Sequence, residues 1–153
     1  EQFKGYKFAT ERSQHLMSLG IPLNTDSTLK GQTVFLAERC GELMHDKIIT
    51  DRTILDVMAF TLNAKSIPHQ DKDAFEVYAS EFIREYDYIF YISPHGIEIE
   101  DNGIRETDEH YRDLIDFTIT TLIKRHGHKA GKIEKISGST EERIQQILNI
   151  TSL

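Results

Sequence analysis

The stretch IITDRTILD, residues 48–56, joins a predicted β-strand to a predicted α-helix and carries two charged side chains at the junction. Its first three residues are β-branched, which is typical of a buried strand. Thr53 and Asp56 have the spacing of a capping box, which predicts that a helix begins just after Arg52. A strand that passes directly into a helix is the repeating unit of an α/β fold.

Strand and helix patterns alternate along the rest of the chain. This alternation predicts right-handed crossovers and a three-layer α/β fold, in which helices flank one mostly parallel sheet. We expect a single domain over residues 1–153. The four predicted strands cover residues 6–10, 46–50, 87–93 and 132–137. The helix before the second strand is predicted from apolar or small residues at steps of three and four, namely Leu29, Thr33, Leu36, Cys40 and Leu43.

The composition of the chain limits its partners and its location. The 153 residues carry a formal net charge of −7, which argues against a dedicated nucleic-acid binder because such proteins are usually basic. No apolar run approaches the length of a membrane span, so no membrane partner is expected. Cys40 is the only cysteine, which excludes an internal disulfide and favours a reducing, cytoplasmic compartment. A homo-oligomer is left open.

Acid–arginine pairs follow the first two predicted strands. In parallel sheets the ligand site lies beyond the carboxyl ends of the strands, which is where Glu11, Arg12, Asp51 and Arg52 fall. A carboxylate such as Asp51 can hold Mg²⁺, and an adjacent guanidinium can clamp a phosphate. Glu11 is placed to accept a proton from an attacking hydroxyl. The alternatives are a surface ion pair for Arg52 and helix capping for Glu11.

Two later segments also carry candidate residues. Residues 94–107 read as a lid-like loop, and Arg105 in it and Arg112 after it would meet phosphate oxygens when the loop closes. The alternative is a solvated acidic loop. The stretch ISGSTEER, residues 136–143, is a strand, a glycine turn and a capped helix. From the residues alone it is an ordinary strand–helix connection.

The order of these pieces resembles the P-loop small-molecule kinases, in particular nucleoside and nucleotide kinases and the ribosylnicotinamide-kinase-like AAA domain group. The segment ITDR is similar to the family's strand-end element, and ATER is similar to its acidic substrate-side element. The resemblance implies transfer of the γ-phosphate of ATP to a nucleoside or nucleotide with the help of Mg²⁺. Asp51 would organise the ion, Glu11 would orient the acceptor, and Arg12 and Arg52 would contact phosphates.

Two further segments extend the resemblance. DNGIRETD is similar to the arginine-bearing lid of these kinases, which implies a catalytic role for Arg105 and a phosphate contact for Arg112. ISGSTEERI is similar to the closing strand–turn–helix that borders adenine. It implies that Ser137, Gly138 and Ser139 bind the base.

The chain departs from this family at one decisive motif. It contains no G-x-x-x-x-G-K-[ST] loop, which holds the phosphates in P-loop enzymes. The resemblance therefore implies a sheet without its N-terminal central strand, which would leave two half-sheets with unpaired backbone groups. Either a strand, a P-loop and a helix precede these residues, or phosphate transfer has been lost. The sequence thus predicts a nucleoside or nucleotide kinase, with a non-catalytic nucleotide-binding or structural module as the alternative.

Overall fold

The strands in the described part of this protein form two separate parallel pairs. The computed structural model describes residues 3–10, 12–95 and 108–152. Strand β1 (Lys7–Ala9) pairs with β2 (Ile48–Thr50), and β3 (Tyr88–Ile92) pairs with β4 (Lys132–Ile136). All four strands fall within the segments that the sequence predicts, and the pairing within each half is parallel as expected.

Helices, including short 3₁₀ turns, make up 61% of the described residues. Capping boxes open two of the α-helices, where Thr53 is paired with Asp56 and Ser139 with Glu142, which confirms both predicted helix starts. None of the described helices is long and apolar enough to cross a membrane. The α-helices are α1 (Ser13–Ser18), α2 (Leu29–Glu42), α3 (Ile54–Asn63), α4 (His69–Ser80), α5 (Glu109–His126) and α6 (Thr140–Thr151).

The hydrophobic core is built around α3. Ile54 and Met58 of this helix are wholly buried, and Leu55 is nearly so. Side chains from α2, α4, α5 and β3 pack against them in one continuous cluster. Ile83, in the 3₁₀ turn before β3, and Leu122 of α5 belong to the same cluster and are almost completely buried. The core therefore joins the two sheets through helices rather than through strand pairing.

The predicted three-layer, mostly parallel sheet is wrong. The described residues hold two small two-stranded sheets in a largely helical molecule, and no ladder of hydrogen bonds connects β2 to β3. A continuous sheet requires adjacent strands to lie within hydrogen-bonding distance along their length. Here a cavity lies between β2 and β3 instead. The positions of strands and helices could be predicted from local sequence patterns, but the pairing of distant strands could not.

Candidate functional site

The cavity between the two sheets has a volume of about 970 Å³, at the upper end of the range for small-molecule sites. Residues of β2 and β3 line it, together with side chains from α2, α3 and α5. Apolar groups such as Ile49, Leu55 and Ile119 form much of the lining. Four of the residues selected from the sequence also line it: Arg12, Asp51, Arg52 and Arg112.

The ends of β1 and β2 lie side by side at one part of this cavity. The backbone N–H of Asp51 donates to the carbonyl oxygen of Ala9 at 2.9 Å, at the carboxyl ends of the two parallel strands. Arg12 follows β1 and forms an ion pair with Glu38 of α2, with 3.7 Å between Nε and Oε2. The side chain of Asp51 is exposed and forms no ion pair with another described residue.

Arg39 of α2 binds the backbone of the turn that carries Asp51 and Arg52. One guanidinium nitrogen, Nη1, donates to the carbonyl oxygen of Asp51 at 2.9 Å and to that of Arg52 at 3.5 Å. The other, Nη2, binds the carboxylate of Glu42 at 2.9 Å. Arg39 is only 4% exposed, and a buried guanidinium requires such partners. Its contacts make Arg39 a positioning residue for the turn.

The carboxylate beside Arg39 is also affected by burial. Removal from water raises the pKa of Glu42 above its ordinary value, although the nearby guanidiniums of Arg39 and Arg12 oppose this rise. Burial disfavours the charged form of a carboxyl group, and an adjacent cation favours it. The Arg39–Glu42 pair therefore lies in a low-dielectric setting, behind the turn that faces the cavity.

Arg52 adopts a backbone conformation that is rare for residues other than glycine. Its φ angle is 76°, in the left-handed region, where a Cβ atom is disfavoured. The guanidinium carbon lies 5.4 Å from the ring centroid of Phe60, a cation–π distance. Arg52 forms no ion pair with any residue that the structure describes. Backbone strain of this kind concentrates at ligand sites, where the surrounding structure maintains it.

Phe60 connects Arg52 to the opposite wall of the cavity. Its ring centroid lies 6.4 Å from that of Tyr111 in α5. The next residue, Arg112, is half-buried and forms an ion pair with Asp113, with 3.7 Å between Nε and Oδ1. The first turn of α5 thus brings a second guanidinium to the same cavity as Arg52.

Arg143 of α6 is a further cavity residue, which the sequence did not single out. Its guanidinium donates to the carbonyl oxygen of Ser139 at 3.4 Å and to Oγ1 of Thr140 at 3.2 Å. It forms no ion pair within the described parts of the chain. We refer to Arg12, Arg52, Arg112 and Arg143 together as the cavity arginines.

One carboxylate of the cavity is already engaged by a tyrosine. The hydroxyl of Tyr91 in β3 donates to Oδ1 of Asp116 in α5 at 2.6 Å. Burial, together with this hydrogen bond and the negative charge of Asp116, raises the pKa of Tyr91 to about 12. The imidazole of His95 is near the other carboxylate oxygen of Asp116, with 3.8 Å between Nε2 and Oδ2. Tyr91 therefore fixes a charged group at the cavity.

Ser137, Gly138 and Ser139 do not line this cavity; Ser137 and Gly138 line a separate surface hollow beside α6. The Oγ of Ser139 accepts from the backbone N–H of Glu142 at 3.2 Å, as the helix cap. Gly138 has a φ of 96°, and a Cβ there would lie 2.3 Å from a carboxylate oxygen of Glu142. These contacts serve the turn into the helix. Adenine binding by the three residues remains a prediction.

Two of the predicted catalytic residues cannot be placed. Glu11 and Arg105 lie outside the described residues, and so does the predicted lid-like loop at 94–107 apart from Pro94 and His95. Their roles therefore remain predictions that depend on the sequence.

The metal prediction can be compared with the donor groups near Asp51. No set of three or more His, Cys, Asp or Glu side chains in the described ranges is arranged to hold a metal ion. Mg²⁺ is usually bound by one or two carboxylates plus water and phosphate oxygens, rather than by a cage of protein ligands. A single exposed carboxylate next to a guanidinium is compatible with that mode, so Asp51 fits Mg²⁺ only in the presence of a phosphate ligand.

The buried role of Arg39 has no distinctive signal in the sequence. The residues of α2 that are buried are Gly31, Gln32, Leu36 and Arg39, so the buried face is shifted from the predicted stripe. Gln32 and Arg39 are polar residues spaced seven apart on that face. Once buried, such polar side chains require hydrogen-bond partners, but their spacing alone does not distinguish them from residues on an exposed helix face.

Comparisons with other proteins do not assign the chain to a family. No protein-family model, no curated protein and no solved structure matches it.

Proposed function

We propose that this chain binds a phosphorylated small molecule of the nucleotide class, and that the cavity arginines hold its phosphates. The observation that carries the proposal is that the cavity arginines come from four separate segments to one cavity, in addition to Arg39. The same cavity is also lined by carboxylates, namely those of Asp46, Asp51, Asp56, Glu85, Asp87 and Asp116. Arg52 and Arg143 have no carboxylate partner among the described residues. Guanidinium groups recognise phosphate by paired, charge-assisted hydrogen bonds.

Arg52 is the principal phosphate contact in this proposal. Its guanidinium is held by the ring of Phe60, and its backbone is held by Arg39 through the carbonyl oxygens of Asp51 and Arg52. A side chain that is fixed before binding loses less conformational entropy when the ligand arrives. Asp51 would bind Mg²⁺ together with the phosphate oxygens, and the ion would neutralise part of the phosphate charge.

Transfer of the γ-phosphate of ATP to a nucleoside or nucleotide is the second candidate function. The observation that favours it is the exposed carboxylate of Asp51, which directly precedes Arg52 in the sequence and lines the same cavity, because an acid for the metal and a cation for the phosphate are what such transfer uses. The 153 residues contain no G-x-x-x-x-G-K-[ST] loop, so binding is the better supported of the two.

Calorimetric titration with ATP, ADP, AMP and adenosine, each with and without MgCl₂, tests the binding proposal. We expect affinity to rise with the number of phosphates and to weaken at high salt, since guanidinium–phosphate attraction is screened by ions. Adenosine should not bind measurably. Equal binding of adenosine and ATP, or no binding of any phosphorylated ligand at millimolar concentration, would overturn the proposal.

A pair of arginine variants makes this test specific. Arg52→Gln should weaken ATP binding by about tenfold or more, because a hydrogen bond to a charged group contributes about 1.5–3 kcal/mol. Arg84→Gln is the matched control, since Arg84 pairs with Glu81 in an exposed 3₁₀ turn and does not line the cavity. It should leave ATP binding unchanged. The same samples, incubated with ATP and a panel of nucleosides, report on phosphate transfer.

A further inference from the structure

Within the described residues, strand β2 pairs with a neighbour on only one of its two edges. In a parallel ladder, alternate residues direct both their N–H and C=O groups to the same neighbour. The bonds from Lys7 N to Lys47 O and from Asp51 N to Ala9 O show that residues 47 and 51 face β1. The residues between them with the opposite orientation, Ile48 and Thr50, therefore direct their backbone groups away from β1.

Strand β3 shows the same arrangement. The bond from Gly131 N to Tyr86 O and the pairing of Tyr88 with Lys132 show that the even-numbered residues of this strand face β4. Ile89 and Tyr91 consequently direct their N–H and C=O groups to the opposite edge. No strand pairs with that edge in the described part of the chain.

Both free edges border the cavity. All three residues of β2 and all five residues of β3 line it. Successive side chains of a strand point to opposite faces, so a cavity on one face would touch only every second residue. A cavity that is lined by every residue of two strands lies along their edges, where the free backbone groups point.

The chemistry of these edges specifies what fits between them. Ile89 is only 5% exposed, and backbone N–H and C=O groups in such surroundings require partners. An extended peptide carries donors and acceptors at two-residue spacing on both of its edges, which matches the spacing of the backbone groups that β2 and β3 direct to the cavity. The apolar lining, which includes Ile49 and Phe90, favours a segment whose side chains are apolar on both faces.

We propose that the cavity between β2 and β3 is a docking slot for an extended, apolar peptide strand supplied by a partner polypeptide. Such a strand would pair with Ile48 and Thr50 on one side and with Ile89 and Tyr91 on the other. Five residues, the length of β3, correspond to about 17 Å of extended chain. The proposal does not depend on phosphate binding, because it uses backbone groups of the strands and none of the cavity arginines.

Hydrogen exchange in the presence of a synthetic peptide tests the slot. The probe is an acetylated, amidated peptide in which a Val-Ile-Val-Ile-Val core is flanked by single lysines. We expect saturable binding and at least tenfold slower exchange at the amides of Ile48, Thr50, Ile89 and Tyr91. The amides of Ile49 and Phe90, which are already paired, should change little. Protection that is absent, or that falls on other elements, would overturn the proposal.

Two controls separate strand pairing from nonspecific apolar binding. A peptide with proline at the central position lacks one donor and should bind at least tenfold more weakly. Thr50→Pro removes a donor from the free edge of β2 but none from its ladder with β1, so it should also weaken binding while circular dichroism stays unchanged. Equal binding of the original and the proline-containing peptide to the wild-type chain would contradict the proposal. This comparison uses only the wild-type chain, so it remains valid if Thr50→Pro fails to fold.

The same experiment excludes or identifies a second copy of the chain as the occupant. Protection of the four amides that increases with protein concentration, in the absence of peptide, would assign the slot to another protomer and overturn the proposal of a partner strand. ATP binding is measured in parallel with the peptide titration. Binding of the peptide without binding of ATP would support the slot and contradict the proposed function. Binding of ATP without binding of the peptide would support the proposed function and contradict the slot.

Discussion

Two charged regions of the molecule differ in how their charges are paired. Where α4 meets the end of α5, the carboxylate of Glu76 binds both Nη1 of Arg125 at 2.5 Å and Nε2 of His126 at 2.7 Å. At the cavity, Arg52 lies over an aromatic ring and has no carboxylate partner among the described residues. In the first region the charged side chains pair with one another, whereas in the second a cation without a carboxylate partner faces a cavity.

This difference separates charges that support the fold from charges that are left for a ligand. Burial alone would raise the pKa of Glu76, but the hydrogen bonds from His126 and Arg125 outweigh it, and the pKa is lowered. Such a group stabilises the folded state in its charged form. Arg52 has a strained backbone, which costs stability instead. The comparison predicts that substitutions of Glu76 and its ion-pair partners change the free energy of unfolding, whereas substitutions of Arg52 change ligand binding.

The largest effect is expected from Arg39→Ala, which tests the support behind the cavity. Its loss removes a buried guanidinium and leaves the carboxylate of Glu42, whose side chain is only 11% exposed, without its ion-pair partner, and we expect the free energy of unfolding to fall by about 3–5 kcal/mol. Arg84→Ala is a matched control, because Arg84 forms an ion pair of the same i, i+3 spacing with Glu81 on the surface. It should have no measurable effect. Urea unfolding measures both variants, and equal losses would contradict the assignment of Arg39.

Glu76→Gln should have the next largest effect, and that effect should depend on pH. A lowered carboxyl pKa gives stability that is present above the ordinary value of 4.5 and is lost as the pH falls through the folded-state value. We expect the variant to be less stable by about 1–2 kcal/mol at neutral pH, and the difference should shrink in acid. Urea unfolding at neutral pH and below pH 4 measures this change. A difference that does not vary with pH would contradict the role of the charge.

Tyr91→Phe should have a smaller effect, of about 1 kcal/mol, because one hydrogen bond to Asp116 is lost. The raised pKa of Tyr91 means that its contribution is complete below pH 10 and is lost as the pH rises through about 12. Ultraviolet titration of the phenolate, taken as the difference between wild type and Tyr91→Phe, measures that pKa. In Asp116→Asn it should move down towards 10, and an unchanged value would show that Asp116 does not act on the hydroxyl.

Local features of the fold could be predicted from the sequence, and long-range ones could not. The two capping boxes and the four strand segments follow from residues within about ten positions of one another. Whether β2 lies beside β3 depends on contacts between residues some forty positions apart, and an apolar run has the same pattern at the edge of a sheet as in its middle. The predicted continuous sheet was wrong for this reason.

The same limit applies to the site. The position of Asp51 and Arg52 after a strand indicated residues that do line the cavity. Arg39 and Arg143 were not selected, because each lies within a helix and reaches the cavity only through tertiary packing. The left-handed backbone of Arg52 has no sequence signal at all, since arginine rarely adopts it.

Arg52→Gly should have the smallest effect on stability and the most direct bearing on the proposed site. Glycine adopts a φ of 76° without strain, so the unliganded variant should be as stable as the wild type or more stable by up to about 1 kcal/mol. A ligand that binds only the folded state, at a free concentration of 100 times its Kd, raises the free energy of unfolding by about 2.7 kcal/mol. The deciding measurement is the Tm of both proteins with and without magnesium-ATP. We predict that ATP raises the Tm of the wild type by several degrees and that of Arg52→Gly by about half as much or less; an equal rise in both proteins would contradict the account.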